Sequence, residues 1–265
     1  MAGFDFGKAL QQAGNAAKKG IGKATAAAQA GVKNLQETAK QQTDKFSEQL
    51  KAAGEQKKAE NALKQAEKKA AEDKAAMEAG GVKAIAPQNA MKVFYYLMAA
   101  DEKFTQEEEE QFRLIGKEID LNFETHQEAI VKNCEEQMEK VIDPADYYDT
   151  LQDGVEAALT GEQTSLDGFI TPKLLLWDLL VISNSDDEYH DTERKLIKYV
   201  VRKLNIPKDV FLEMESSLLT IRDIEREMDW IKTTDRPYLA IEKQIKELDK
   251  RREDILGAVK ALITL

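Results

Sequence analysis

Along most of this chain apolar residues recur at three- and four-residue steps, the period of helices that bury one face and leave the other in water. The clearest run occurs twice. Met91 to Asn122 reads MKVFYYLMAADEKFTQEEEEQFRLIGKEIDLN, and Leu174 to Pro207 reads LLLWDLLVISNSDDEYHDTERKLIKYVVRKLNIP. Without a gap the two pair Phe94 with Leu179, Leu97 with Ile182, Asp101 with Asp186, Glu102 with Asp187 and Phe104 with Tyr189. The register continues through Glu108 with Glu193, Phe112 with Ile197, Ile115 with Val200 and Ile119 with Leu204. Each copy predicts two apolar-faced helices joined through a short acidic turn.

Two further helices are expected between the copies. One carries Ile130, Cys134, Met138 and Val141, the other Tyr147, Tyr148, Leu151, Val155 and Leu159, with Pro144 separating them. Asp167-Gly168 marks a turn before the second copy. After Pro207, Phe211, Met214, Leu218, Ile221, Ile224, Met228 and Ile231 keep a helical step. From Tyr238 to Leu265 the apolar positions Ile241, Ile245, Leu248, Ile255, Val259 and Leu262 form a short heptad seam, broken at Arg252. The expectation is an all-α protein: a compact helical bundle with two related helix pairs in residues 81–232, and a last helix, 233–265, that packs on the bundle or self-associates.

Residues 1–80 have a different pattern. In rows of eleven from Gly7, one column holds Leu10, Ile21, Val32 and Thr43, and another holds Ala13, Ala24, Leu35 and Phe46. Eleven residues are three helical turns, so these columns form one stripe on a nearly straight helix. The stripe is weakly apolar and is accompanied by Lys8, Lys18, Lys19, Lys23 and Lys33, with Phe4 and Phe6 at the tip. A basic amphipathic helix of low hydrophobicity suits an anionic membrane surface, where each lysine contributes about 1 kcal/mol. The arm resembles, as a physical class, the eleven-residue repeats of synucleins and exchangeable apolipoproteins. Beyond Lys51 the stripe ends, and a solvated spacer helix is expected up to Gly80-Gly81.

Charge follows the same division. The first 90 residues hold 15 Lys and 10 acidic residues, a surplus of five positive charges, so the total of −11 leaves −16 on the remainder. Arg is absent from the arm, and no aromatic lies among its lysines between Phe6 and Phe46, which disfavours nucleic acid as a partner. A single Cys134 and two histidines, His126 and His190, exclude an intramolecular disulfide and a structural zinc centre. The N-terminus lacks the order of a signal peptide, and Ala2 is not the glycine that myristoylation needs, so a cytoplasmic, peripherally membrane-associated protein is expected. No nucleophile–base motif or phosphate loop points to an enzyme.

The duplicated turns carry the chemistry. Asp101, Glu102 and Glu108, with Asp186, Asp187 and Glu193, are the candidate ligands of a hard cation, calcium or another divalent ion. The spacing does not fit an EF-hand. Helix capping competes with this reading, because Thr105 with Glu108 forms a capping box, Asp191 can cap the other helix, and Phe104 and Tyr189 read as core plugs. Residues 88–232 resemble the tellurite-resistance TerB-type helical domain on Asp186, Tyr189 and Glu193 and on Asp101, Phe104 and Glu108. That family commonly has Gly after the Asp, where this chain has Glu102 and Asp187. The resemblance implies a stress-response role with metal association and links to membrane complexes. The expected function is therefore a non-enzymatic adaptor that binds a cation or a protein partner. The alternative is an assembly protein, a homo-oligomer joined through its terminal helices.

Overall fold

The computed structural model describes residues 58–166, 168–186 and 188–264. Of Met1–Lys64, the described residues 58–64 are helical and exposed. The arm residues expected to meet a membrane, Phe4 through Leu35, lie outside the described residues, and so does Asp187. Gln65–Leu265 forms a compact unit that opens with a helix through residue 79 (α1). It continues with α2 (Pro87–Met98), α3 (Gln106–Ile119), α4 (Phe123–Met138), α5 (Tyr147–Thr160), α6 (Pro172–Ile182), α7 (Asp191–Lys203), α8 (Lys208–Lys232) and α9 (Tyr238–Thr264). The expected all-α class is observed.

The helices of the two repeated segments start in register. Pro87 and Pro172, each preset to a helical φ, stand at the first positions of α2 and α6, and the Thr171 hydroxyl accepts the Leu174 N–H at 3.2 Å. Both helices are apolar almost all round, so the stable place for them is the centre of the bundle. Met91, Val93, Phe94 and Leu97 of α2 are fully buried, as are Leu175, Leu176, Leu180 and Ile182 of α6. The two helices touch each other, and both touch α3 and α7. Each such side chain contributes roughly 1.5–3 kcal/mol on burial, against about 1 kcal/mol for a cap, so the core and not the caps decides where these helices sit.

Just before these helices, Ile85 N–H donates to the Ile170 carbonyl at 3.1 Å and Ile170 N–H returns to the Ile85 carbonyl at 2.9 Å. Among the described residues this is the one β-type pairing. Ile85 and Ile170 keep the register that pairs Asp101 with Asp186, so the exchange is between equivalent positions. Two small residues then set close helix approaches. A Cβ on Gly154 of α5 would overlap the Tyr96 ring, and one on Gly116 of α3 would overlap the Phe123 ring. The Tyr147 hydroxyl donates to the Ala99 carbonyl at 2.7 Å, fixing α5 to the end of α2.

The seam of α9 faces its own chain: Ile241 and Val259 are buried, Ile245, Leu248, Ile255 and Leu262 are half-buried, and α9 packs on α8. The spacer helix is not solvated throughout. Gly81, at φ 75, ends it as the Gly-Gly pair suggests. Before that, Ala70 is buried, and the Lys74 ammonium donates to the Gln163 carbonyl at 2.9 Å and lies 5.7 Å from the centre of the Phe169 ring.

Asp178 is the one acidic side chain on the buried face of α6. It is 8% exposed, its Oδ2 has no hydrogen-bond partner among the described residues, and burial, reinforced by the Glu118 charge, pushes its carboxyl up to about 7. A folded-state pKa above the unfolded value means that the native state holds the proton longer. Stability contributed by this group therefore falls as pH rises from about 4 to about 7 and stays lower above that window. Asp178→Asn is expected to raise the thermal midpoint relative to wild type more at about pH 8 than at about pH 5. Equal differences at the two pH values would rule out ionisation of Asp178 as the cause.

Candidate functional site

Each acidic turn begins where a central helix stops. After α2 the chain makes a tight turn at Ala99–Asp101 and reaches Glu102, whose φ of 65 is left-handed and favours glycine. Asp101 Oδ1 accepts the Lys103 N–H at 3.0 Å, and Asp186 Oδ1 accepts the Glu188 N–H at 2.9 Å. Both aspartates thus close the same side-chain-to-backbone turn with one of their two oxygens.

The glutamates close the next helices. Thr105 Oγ1 accepts the Glu108 N–H at 3.2 Å, while Glu108 Oε2 accepts the Thr105 N–H at 2.9 Å and its hydroxyl at 3.0 Å, the expected capping box. In the second copy the capping position belongs to His190 and not to Asp191. Glu193 Oε2 accepts the His190 N–H at 2.8 Å, and Asp191 occupies the first helical position, where its charge favours the helix dipole.

The two turns meet in space. The His190 Nε2 lies 3.4 Å from Asp101 Oδ2 and 3.1 Å from Glu188 Oε2, and Lys103 Nζ is 4.0 Å from Glu188 Oε2. Glu108 and Glu193 are both buried beneath them. Burial pushes the Glu193 carboxyl up to about 8, and the Glu108, Asp101 and Asp186 charges add to that against the stabilising His190 N–H. Burial also raises Glu108, opposed by the Thr105 bonds and reinforced by Asp101 and Asp186. Four carboxylates, two at equivalent positions in each copy, share one poorly neutralised field.

Of the six residues expected to hold a cation, Asp101, Glu108, Asp186 and Glu193 come together. Glu102 is exposed, and its charge reinforces the upward shift that burial imposes on Tyr147. Asp187 lies outside the described residues. Glu108 Oε1, Asp186 Oδ2 and Glu193 Oε1 accept no hydrogen bond among the described residues, and Asp101 Oδ2 faces His190. As placed, no three His, Cys, Asp or Glu side chains among the described residues close into a ligand set.

The aromatic pair of the turns divides. Phe104 lies against Tyr95 with ring centres 5.4 Å apart but remains 46% exposed, so it is no core plug. Tyr189 packs on the core and donates its hydroxyl to Glu215 Oε1 at 3.0 Å. Glu215 also takes two bonds from Arg194, each at 2.7 Å. The sequence signal for this ion pair is a glutamate beside Met214 on the apolar face of α8, where a lone charge needs a partner. A second arrangement was also missed: buried Asp120 holds the His126 ring, Oδ2 to Nδ1 at 2.7 Å, at the edge of a cavity of about 580 Å³.

Among the described residues no helix is long and apolar enough to cross a membrane. Comparison of the chain with protein-family models, with curated proteins and with solved structures finds no match. The capping arrangement gives a direct expectation. Thr105→Ala removes the acceptor of the Glu108 N–H and one donor to the buried Glu108 carboxylate, so urea unfolding should show a loss of roughly 1 kcal/mol. An unchanged midpoint would mean that the box contributes nothing.

Proposed function

We propose that the chain is a non-enzymatic adaptor of TerB-like type, whose two helix pairs are related copies and whose paired acidic turns take up a divalent cation, calcium first. The observation that carries the reading is the meeting of Asp101, Glu108, Asp186 and Glu193, two carboxylates from each copy, two of the four nearly fully buried. Capping and turn formation account for one oxygen of each group. The remaining oxygens, which as placed close into no ligand set, would form an all-oxygen donor set on drawing in around an ion, and such a set suits a hard cation and not a thiophilic one.

A bound cation would supply positive charge to a field that His190 and Lys103 balance poorly. The chain's own groups then have defined parts: Asp101 and Asp186 would meet the ion from the two turns, and Glu108 and Glu193 from beneath them. The left-handed φ of Glu102 also supports the TerB-like reading, because it is the conformation that the family's usual glycine adopts without cost. The basic arm, through Phe4, Phe6 and its lysines, would hold the molecule reversibly on anionic membrane.

Two measurements test the reading. Calorimetric titration of the full chain with calcium chloride should give a binding heat that disappears in the Asp101→Ala/Asp186→Ala variant; an unresponsive wild type would leave the turns as capped corners. For the arm, the full chain should co-sediment with anionic vesicles at low salt and release as salt rises past the screening of surface charge. Replacement of Lys8, Lys18, Lys19 and Lys23 by Gln should abolish it, and retention by neutral vesicles alone would contradict the electrostatic part.

A further inference from the structure

Between α5, α7 and the start of α8 lies a groove of about 1030 Å³. Its rim carries Arg194, Lys195, Lys198, Arg202 and Lys208, and no acidic residue lines it. Its base is apolar. Val201, Ile206 and Phe211 are buried there, Tyr148 is half-buried, and Leu212 is 43% exposed. An exposed leucine beside buried neighbours offers apolar surface to an incoming group.

The cations on the rim are not equivalent. Arg194 is committed to Glu215. Lys195, Lys198, Arg202 and Lys208 are exposed and form no ion pair among the described residues. The first copy provides an internal comparison. Its positions equivalent to Lys195, Lys198 and Arg202 are Glu110, Arg113 and Lys117. There Arg113 pairs with Glu109 at 3.5 Å and Lys117 with Glu124 at 3.0 Å, so the same helix face is neutralised. On a molecule of net charge −11, four cations outside any ion pair, of which Lys198 also acts on the Glu215 carboxylate, set a positive local field over the apolar base.

We infer that this groove docks an acidic amphipathic helix of a partner protein, its apolar stripe on Leu212 and the base and its carboxylates along Lys195, Lys198, Arg202 and Lys208. Lys195 to Arg202 spans two turns of α7, about 10 Å, which matches two turns of a partner helix with apolar residues at i, i+3 or i+4 and i+7. The concave shape favours a helix over a bilayer surface, which is flat on this scale. A nucleic acid would bring phosphates but no apolar stripe. The inference does not depend on cation binding at the acidic turns.

The test uses the full chain and a fluorescent synthetic peptide of about 16 residues, with leucines at helical spacing on one face and glutamates on its flanks. Fluorescence anisotropy should show binding at low salt that weakens as salt rises. In the Lys195→Glu/Lys198→Glu/Arg202→Glu variant, shown to be folded by circular dichroism, affinity should fall by about tenfold or more. Leu212→Asp should weaken it as well, and Arg113→Glu/Lys117→Glu on the first copy should leave it unchanged. Absence of binding by wild type overturns the inference. So does wild-type affinity in the triple variant, which would assign the peptide to the basic arm. Binding of anionic vesicles that the triple variant loses, with peptide binding intact, would overturn it in favour of lipid.

Discussion

The fold depends on one constraint: α2 and α6 are too apolar around most of their circumference to lie at a surface. Both therefore occupy the centre, where they touch, and α3, α4, α5, α7, α8 and α9 pack against one or both of them. The reciprocal exchange between Ile85 and Ile170 fixes how the two enter the bundle, since each strand-like segment satisfies the other's backbone just before its helix begins. Once the entries are paired and the helices are of matching length, their ends emerge together. The juxtaposition of the acidic turns is thus a product of core packing before it is a matter of charge.

That placement puts two demands on Glu108 and Glu193. As caps they satisfy backbone donors that would otherwise be unpaired, worth about 1 kcal/mol each. As buried carboxylates beside Asp101 and Asp186 they resist ionisation, which is why both are raised and Glu193 reaches about 8. A proton or a cation relieves the same conflict. Asp178 shows what burial does where no such cluster exists: one oxygen is left without a partner, and the shift stems from desolvation with Glu118 as the lesser cause.

Much of this architecture was legible in the residues. Thr105 three residues before Glu108 and the helical step of the apolar positions located α2, α3, α6 and α7 because those signals act within a few turns of chain. The site was less legible wherever the outcome depended on a distant partner. Phe104 and Tyr189 occupy matching positions, yet Tyr189 is drawn inward by Glu215 of α8 and Phe104 has no counterpart to that glutamate. Asp191 looked like a cap, but the backbone entering α7 puts His190 there. The meeting of the turns rests on Ile85 and Ile170, whose pairing no local pattern announces. Lys195, Lys198 and Arg202 have no sequence signal beyond helical spacing, because their lack of an ion pair and the apolar base beside them emerge only in the fold.

The exchange between Ile85 and Ile170 has the form of a contact across a two-fold axis, in which each side gives what it receives. In a dimer of identical subunits every substitution appears on both sides of such an axis, so acid on one face enforces acid on the other. Here the proposed copies belong to a single chain and are inherited as separate stretches of sequence. Asymmetry is then open to selection: one face can hold Glu110 while its counterpart holds Lys195, with the shared acidic turns left in place. Covalent linkage of the proposed copies lets equivalent positions diverge, so that one helix face is neutralised by its own ion pairs while its counterpart keeps a surplus of cations.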